Sequence, residues 1–413
     1  MTQSNSKAFT PLKVGPLTLR NRFIKAATNE GMCKGGIISK GLVKFHEDVA
    51  KGGAAMTTVA YCATSKDGQT FPDQAHLSPQ TVADFKVLTD SVHKHGAAAQ
   101  AQITHAGAFT FLPKAVSSMK PISANGGFNK FGVLSGRYTK KKMGQKEMDA
   151  ISEEFVNAAL LAKESGFDSV ELHMGHGYLL SQFITPFYNS RKDEYGGTIE
   201  NRMRFPAQVL SRVLDAVGND LAVTVKYSQT DGKDGGNTIT EGIEIAKILQ
   251  KTGAHMAQLS NGLNVESIST MFGNPLPASA AKPKNLIVRI GMMMQPKSKE
   301  PDREFKPLYS LETARQIRAA VDMPLCYLGG AQTMDNFNSV INEGFDAVGL
   351  GRALLYNPKL IKGLETSSIS NSGCTACNKC VTLMYAPGGT ACVEVGGNPG
   401  HAPELNLIPA SAA

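Results

Sequence analysis

The chain has no apolar run of roughly 18 residues, the length a bilayer-spanning helix needs, so a membrane-embedded protein is not expected. Its opening stretch, MTQSNSKAFTPLKVG, lacks the apolar core of a secretory signal, which argues for a cytoplasmic protein. Cysteine is too sparse and uneven for a disulfide framework. Of seven, Cys33, Cys62 and Cys326 stand alone and four crowd into residues 374–392, which fits reduced thiols with one place for a metal. Basic clusters with interleaved aromatics are missing too. The formal charge of +8 is scattered and its densest run, Lys140–Lys142, is short, so nucleic-acid binding is not expected. Holding phosphorylated small molecules accounts for part of the surplus.

What is present is an alternation. Eight short apolar runs read as buried parallel strands: RFIKAAT (22–28), AAMTTVA (54–60), AAAQAQI (97–103), DSVELH (168–173), LAVTVKY (221–227), AHMAQLS (254–260), PLCYLGG (324–330) and FDAVGLG (345–351). Helix-periodic segments lie between them. Ser78-Pro79 reads as a cap with proline at the first helical position, followed by Val82, Phe85, Thr89 and Val92 on one face. Ile151, Phe155, Ala159 and Ala162 mark another helix, Val209, Val213 and Val217 a third, and Thr333 caps a fourth carrying Phe337 and Ile341. Eight β/α units predict a TIM (β/α)8 barrel over residues 1–365, ahead of a doubly wound sheet. Residues 366–413 read as a short C-terminal extension with C-x2-C-x2-C-x11-C. The connections 104–146 and 261–310 are too long for plain βα loops. They follow strands three and six, which assigns both to the barrel's C-terminal face, where such loops shape a site.

The densest chemistry is HMGHGY, with His173, His176 and Tyr178 at the end of strand four. Packing or capping of the next helix is one reading, although three polar rings converging at a barrel strand end weigh against it. A zinc site would need a further ligand, and H-x2-H alone is weak for that. Two imidazoles can instead donate N–H bonds to one oxygen and stabilise charge developing on it. A phenol, with a pKa near ~10, stays protonated at neutral pH and can deliver a proton.

HMGHGYLLSQFITPFYNSRKDEYGGTIENRMRF (173–205) resembles the signature of the Old Yellow Enzyme family of FMN-dependent ene-reductases. So do LRNRFIKAAT (19–28), QITHAG (102–107) and GGAQT…FDAVGLGRALLYNP (329–358), and the resemblance runs through residues 9–360 in order. It implies FMN on the C-terminal face, NAD(P)H as hydride donor, and a small-molecule enone, enal or nitroalkene as acceptor in a ping-pong cycle. His173 and His176 would grip the acceptor's oxygen and Tyr178 would supply the proton, so the oxygen clamp is preferred to a metal. Ala27, Thr28 and Ala60 fall where the family contacts the isoalloxazine ring, and Gln102 where it meets the pyrimidine edge. Gly329, Gly330, Gly351 and Arg352 match the phosphate cradle.

Two positions depart from the better-known members. Lys226 stands at the strand-five end where those carry arginine; the function needed there is a cation beside the flavin, which lysine supplies as a point charge. A barrel-end lysine is also the nucleophile of Schiff-base aldolases, the reading from another enzyme class. Asn29 follows Thr28 where some relatives place a redox-tuning cysteine, and Cys33 lies too far along to replace it. The extension's Cys374, Cys377, Cys380 and Cys392 are spaced like a ferredoxin run and resemble the [4Fe–4S] segment of multidomain relatives that oxidise amines or reduce dienoyl thioesters. A cluster, a plain group of thiols and a structural zinc on four thiolates are the three readings of that segment.

Overall fold

The computed structural model describes residues 6–277, 304–384 and 388–395. All eight expected runs are strands: β1 Phe23–Lys25, β2 Met56–Ala63, β3 Ala98–Thr104, β4 Ser169–Met174, β5 Ala222–Ser228, β6 Met256–Ser260, β7 Leu325–Tyr327 and β8 Ala347–Leu350. They close into one barrel in sequence order, every neighbouring pair parallel. Parallel strands are covered by helices outside and packed side chains inside, so β2 to β8 are buried along their whole length and read in sequence as continuous apolar runs. The hairpin Leu12–Val14/Leu17–Leu19 plugs the N-terminal end, where Leu12, Val14 and Leu19 pack on Ile24, Met56 and Met256.

The helices fall between the strands as their apolar stripes require. Phe155, Ala159 and Ala162 are buried on α1 (Gln145–Glu164), and Val209, Val213 and Val217 on α2 (Ile199–Val217). On α3 (Met334–Asn342), the Thr333 hydroxyl accepts the Asn336 N–H. Ser78-Pro79 differs in detail: a 3-10 turn, Pro79–Thr81, comes first and the α-helix Val82–His93 starts after it. The Thr81 hydroxyl accepts the Ser78 N–H, which tightens that turn.

Inside the barrel, the Gln100 amide ties Thr58, Ser169 and Thr224 into one polar layer at 2.8–2.9 Å. The long connection after β3 carries a small sheet of Ile122–Ser123, Gly127–Phe128 and Thr139–Lys142. The one after β6 starts with the short helix Ile268–Phe272; its residues 278–303 lie outside those described. The helix Leu360–Glu365 ends the expected barrel unit, and the described part of the extension then lies against the barrel. The Ser372 N–H donates to the Gln332 carbonyl at 3.0 Å, the Asn29 amide to the Met384 carbonyl at 3.1 Å, and the Thr390 N–H to the Glu30 carbonyl at 2.7 Å. Among the described residues no helix is long and apolar enough to cross a membrane.

Candidate active site

Alternation along β4 turns Ser169, Glu171 and His173 into the barrel, and the chain reverses sharply after Met174. His176 has φ +63° and Gly177 φ +87°, left-handed values that histidine tolerates at a cost and glycine without one. The turn is held because the His176 carbonyl accepts the Asn264 N–H at 3.2 Å and the Ser228 hydroxyl donates to the Gly262 carbonyl at 2.9 Å. The turn brings His176 Nδ1 to 2.8 Å from His173 Nε2 and sets His176 Nε2 2.8 Å from the Ser260 hydroxyl at the end of β6. His173 Nδ1 is buried with no hydrogen-bond partner among the described residues.

Both imidazoles are neutral at physiological pH. Burial, with the Lys226 charge added, pulls His176 down to about 3; burial, His176 and Lys226 together hold His173 well below the usual histidine range. The Tyr178 ring leans on His173, centroids 4.5 Å apart, and on Phe109 at 5.6 Å and Tyr61 at 5.2 Å. Phe109 continues onto Phe131 and Phe131 onto Tyr188, which makes an aromatic wall beside the two histidines. At its outer edge Lys130 sits over the rings of Phe131, Phe187 and Tyr188 and pairs with Glu266, whose carboxylate also accepts the Tyr188 hydroxyl. That contact joins three loops over the site.

A charged layer lies one step deeper. Lys226, on β5, is in register with His173 on β4 and Gln258 on β6. Its ammonium donates over 3.4 Å to the Ala27 carbonyl, its one acceptor among the described residues. Glu171 is in register with Gln102, whose amide donates to it at 2.7 Å. Lys25 and Glu30 form a fully buried ion pair; Glu30 also accepts the Ala60 N–H at 2.8 Å, which fixes the loop after β1 against the end of β2. The Gln258 Nε2 amide is buried without a partner among the described residues.

Ala27, Thr28, Ala60, Gln102 and Lys226 thus gather at one end of the barrel with His173, His176 and Tyr178. Gly329 and Gly330 follow β7 and Gly351 follows β8. A Cβ on Gly329 would stand 1.8 Å from the Ser310 hydroxyl, so glycine is required there for packing as much as for any ligand. Arg352 opens the short helix after β8. Its guanidinium donates to the Asn378 side chain, the Ala376 carbonyl at 3.3 Å and the Phe272 carbonyl at 2.9 Å, so it grips the cysteine segment. Beside it, Cys374, Cys377, Cys380 and Cys392 line a single small pocket. Burial raises the Cys374 thiol and takes Cys380 up to about 11. Cys33 is buried in the hairpin after β1, and Asn29 spends its amide on the extension.

Ser260, Glu171, the Lys25–Glu30 pair and the Lys130–Glu266–Tyr188 contact are additions that the sequence reading did not single out. The alternation of β4 pointed to Glu171, two residues before His173, and Lys25 and Glu30 are only five residues apart; the others join segments remote in sequence.

Residues 7–370 match the family described as NADH:flavin oxidoreductase / NADH oxidase. The chain is 37% identical over 404 residues to the 4,4'-dithiodibutanoate disulfide reductase of Rhodococcus erythropolis, covering 95% of this chain and 96% of that protein. It is 30% identical over 376 residues to the NADH oxidase of Thermoanaerobacter brockii, covering 90% of this chain but 52% of that one, so it spans about half the length of this longer relative. An Old Yellow Enzyme homologue from Zymomonas mobilis superposes with a TM-score of 0.68 at 22% identity, covering 88% of this chain and 94% of that one, which establishes the shared barrel fold.

Proposed function

The chain belongs to the NADH:flavin oxidoreductase / NADH oxidase family and is an NAD(P)H-dependent flavin oxidoreductase, and from that premise we propose that it reduces the activated C=C bond of an enone, enal or nitroalkene. The observation that carries the reading is the pair of neutral imidazoles 2.8 Å apart beside the aromatic wall, with the Tyr178 ring against one of them. An acceptor oxygen entering between His173 Nε2 and His176 Nδ1 replaces their mutual bond with two N–H donors, in a place from which water is excluded. Tyr178 then holds the proton that the alkene carbon next to the carbonyl or nitro group receives, while the wall of Tyr61, Phe109 and Phe131 keeps the apolar body of the substrate flat.

The residues present fit FMN. Gln102 offers an amide, Lys226 an ammonium with one long acceptor, and Gln258 an orphaned amide N–H, a donor set suited to the carbonyl edge of a flavin ring. When bound, FMN supplies the two-electron chemistry, taking hydride from NAD(P)H and passing it to the acceptor. Ala27, Thr28 and Ala60 would face the ring, and Gly329, Gly330 and Gly351, with Arg352 beside them, would lie toward the phosphate. We assign Cys374, Cys377, Cys380 and Cys392, in an extension taken as 366–413, to a [4Fe–4S] cluster. Four thiols share one cavity, yet among the described residues no three His, Cys, Asp or Glu groups stand close enough to hold a single metal ion. Thiolates around a four-iron cluster stand farther apart than those at 2.3 Å from one zinc. Reduced thiols and such a cluster suit the cytoplasm.

The relative from Rhodococcus favours a second acceptor class, the organic disulfide. There Tyr178 would protonate the departing thiolate. The experiment is anaerobic: the protein is reduced with NAD(P)H and its flavin absorbance followed on adding cyclohexenone or a dialkyl disulfide. Reoxidation by the enone supports the first reading and reoxidation by the disulfide alone the second. A protein that binds no flavin on reconstitution overturns both.

A further inference from the structure

Lys226 is 4% exposed, and its ammonium has one acceptor among the described residues, the Ala27 carbonyl at 3.4 Å. A buried ammonium so poorly bonded gives up its proton unless a negative charge stands nearby. The register names the neighbour. His173 lies directly opposite Lys226 across β4 and β5, and Glu171 is two residues back on the same inward face, a diagonal that long side chains reach across. Glu171 is 1% exposed, and the Gln102 amide holds its carboxylate at 2.7 Å. The other carboxylate of the layer, Glu30, is already claimed by Lys25 and the Ala60 N–H.

We infer that Glu171 is a positioning residue of the flavin site, whose carboxylate keeps the Lys226 ammonium charged. The inference rests on the flavin reading above. The charged and titratable groups around Lys226 are Glu171 and His173 on β4, His176 after it, Lys25 on β1, Glu30 on the loop after it, and Cys326 on β7. The histidines are neutral and burial raises the Cys326 thiol, so both add no charge. Lys25 and Glu30 cancel each other, which leaves Glu171 as the net counter-charge. Burial raises the Glu171 carboxyl and lowers the Lys226 ammonium, and each is the largest influence opposing the other's shift, so the two hold their charges together.

With Glu171 in place Lys226 is charged whether the flavin is oxidised or reduced, and takes up no proton on reduction. In Glu171→Gln the carboxamide keeps the shape and still accepts from Gln102, but the counter-charge is gone. Lys226 is then neutral beside oxidised flavin and binds a proton when reduction brings negative charge to it. The test is the pH dependence of the flavin midpoint potential, measured anaerobically by spectroelectrochemistry on the FMN-loaded protein between pH 6 and 9. Each extra proton taken up with two electrons adds about 30 mV per pH unit. E171Q should show one such increment over the unaltered protein, and Glu171→Asp, with its carboxylate drawn back, the same increment over a narrower pH range. Lys226→Arg added to E171Q should remove it, because arginine stays protonated. An unchanged slope in E171Q, or in folded E171D should E171Q not fold, overturns the inference, as does an extra slope that survives the added arginine. Failure to bind FMN would instead defeat the functional reading.

Discussion

His173 Nε2 and His176 Nδ1 face each other at 2.8 Å, and since both rings are neutral only one of those nitrogens donates to the other. To grip one oxygen both must carry hydrogen. For His176 that tautomer leaves Nε2 as an acceptor, and the Ser260 hydroxyl lies 2.8 Å from it. A Ser260 hydroxyl that donates there would select the clamp tautomer. Ser260→Ala should weaken binding of phenolic ligands to the oxidised protein by about 5-fold, the worth of one hydrogen bond near 1 kcal/mol. Flavin reduction by NAD(P)H should stay unchanged; a spectral titration giving the same Kd would remove Ser260 from the clamp.

Tyr178→Phe keeps the ring contacts with His173, Tyr61 and Phe109 and deletes the proton. Stopped-flow measurement should find flavin reduction near normal and reoxidation by cyclohexenone slowed ~10²–10⁴-fold, the cost of a lost general acid. A nitroalkene should suffer less, because the nitronate formed is stable enough to leave and be protonated in solution. Equal slowing of both half-reactions would mean that the hydroxyl serves binding instead.

The barrel was legible because strands buried on both faces leave unbroken apolar runs, and a site at their C-terminal ends follows from the fold. HMGHGY was legible because three polar rings stand at one strand end. What joins distant segments was not. Ser260 reaches His176 across 84 residues, and Glu266 meets Lys130 across 136. Nor were the bonds from the Arg352 guanidinium to Ala376 and Asn378, 24 and 26 residues further on in the extension, legible. Much of the signature that carried the resemblance is architecture. Arg191 chelates Asp193 and donates to the Met143 carbonyl at 2.7 Å, tying the long loop after β3 to the segment after β4.

Acid should destabilise the fold through its buried imidazoles. An exposed histidine titrates near ~6.5, whereas His176 stays neutral in the folded protein down to about 3. Between those values the unfolded chain binds the extra proton, so this stability is complete above pH 6.5 and drains as pH falls, by ~1.4 kcal/mol per pH unit for one ring. Asparagine tolerates the left-handed backbone at this position, so His176→Asn should fold. Its urea-unfolding free energy should fall less steeply from pH 6 to pH 4, by about that amount per unit. Parallel slopes for the two proteins would show that His176 titrates normally.

The cysteine segment provides the last prediction. Four thiols line one cavity with the Arg352 guanidinium at its edge, and the segment is bonded to the loop after β1 through Asn29 and Thr390. That loop carries Ala27 and Thr28, so whatever the thiols hold bears on the flavin's surroundings. Anaerobic purification should yield near four irons and four acid-labile sulfides per chain, if four thiolates hold one four-iron cluster. Cys377→Ser with Cys380→Ser should lose the iron. With the segment no longer anchored on a cluster, the double variant should also lose FMN more readily on dilution, read as recovery of free-flavin fluorescence. One zinc per chain would establish the structural ion instead. No metal, with flavin retention unchanged in the double variant, would leave the thiols a structural remnant.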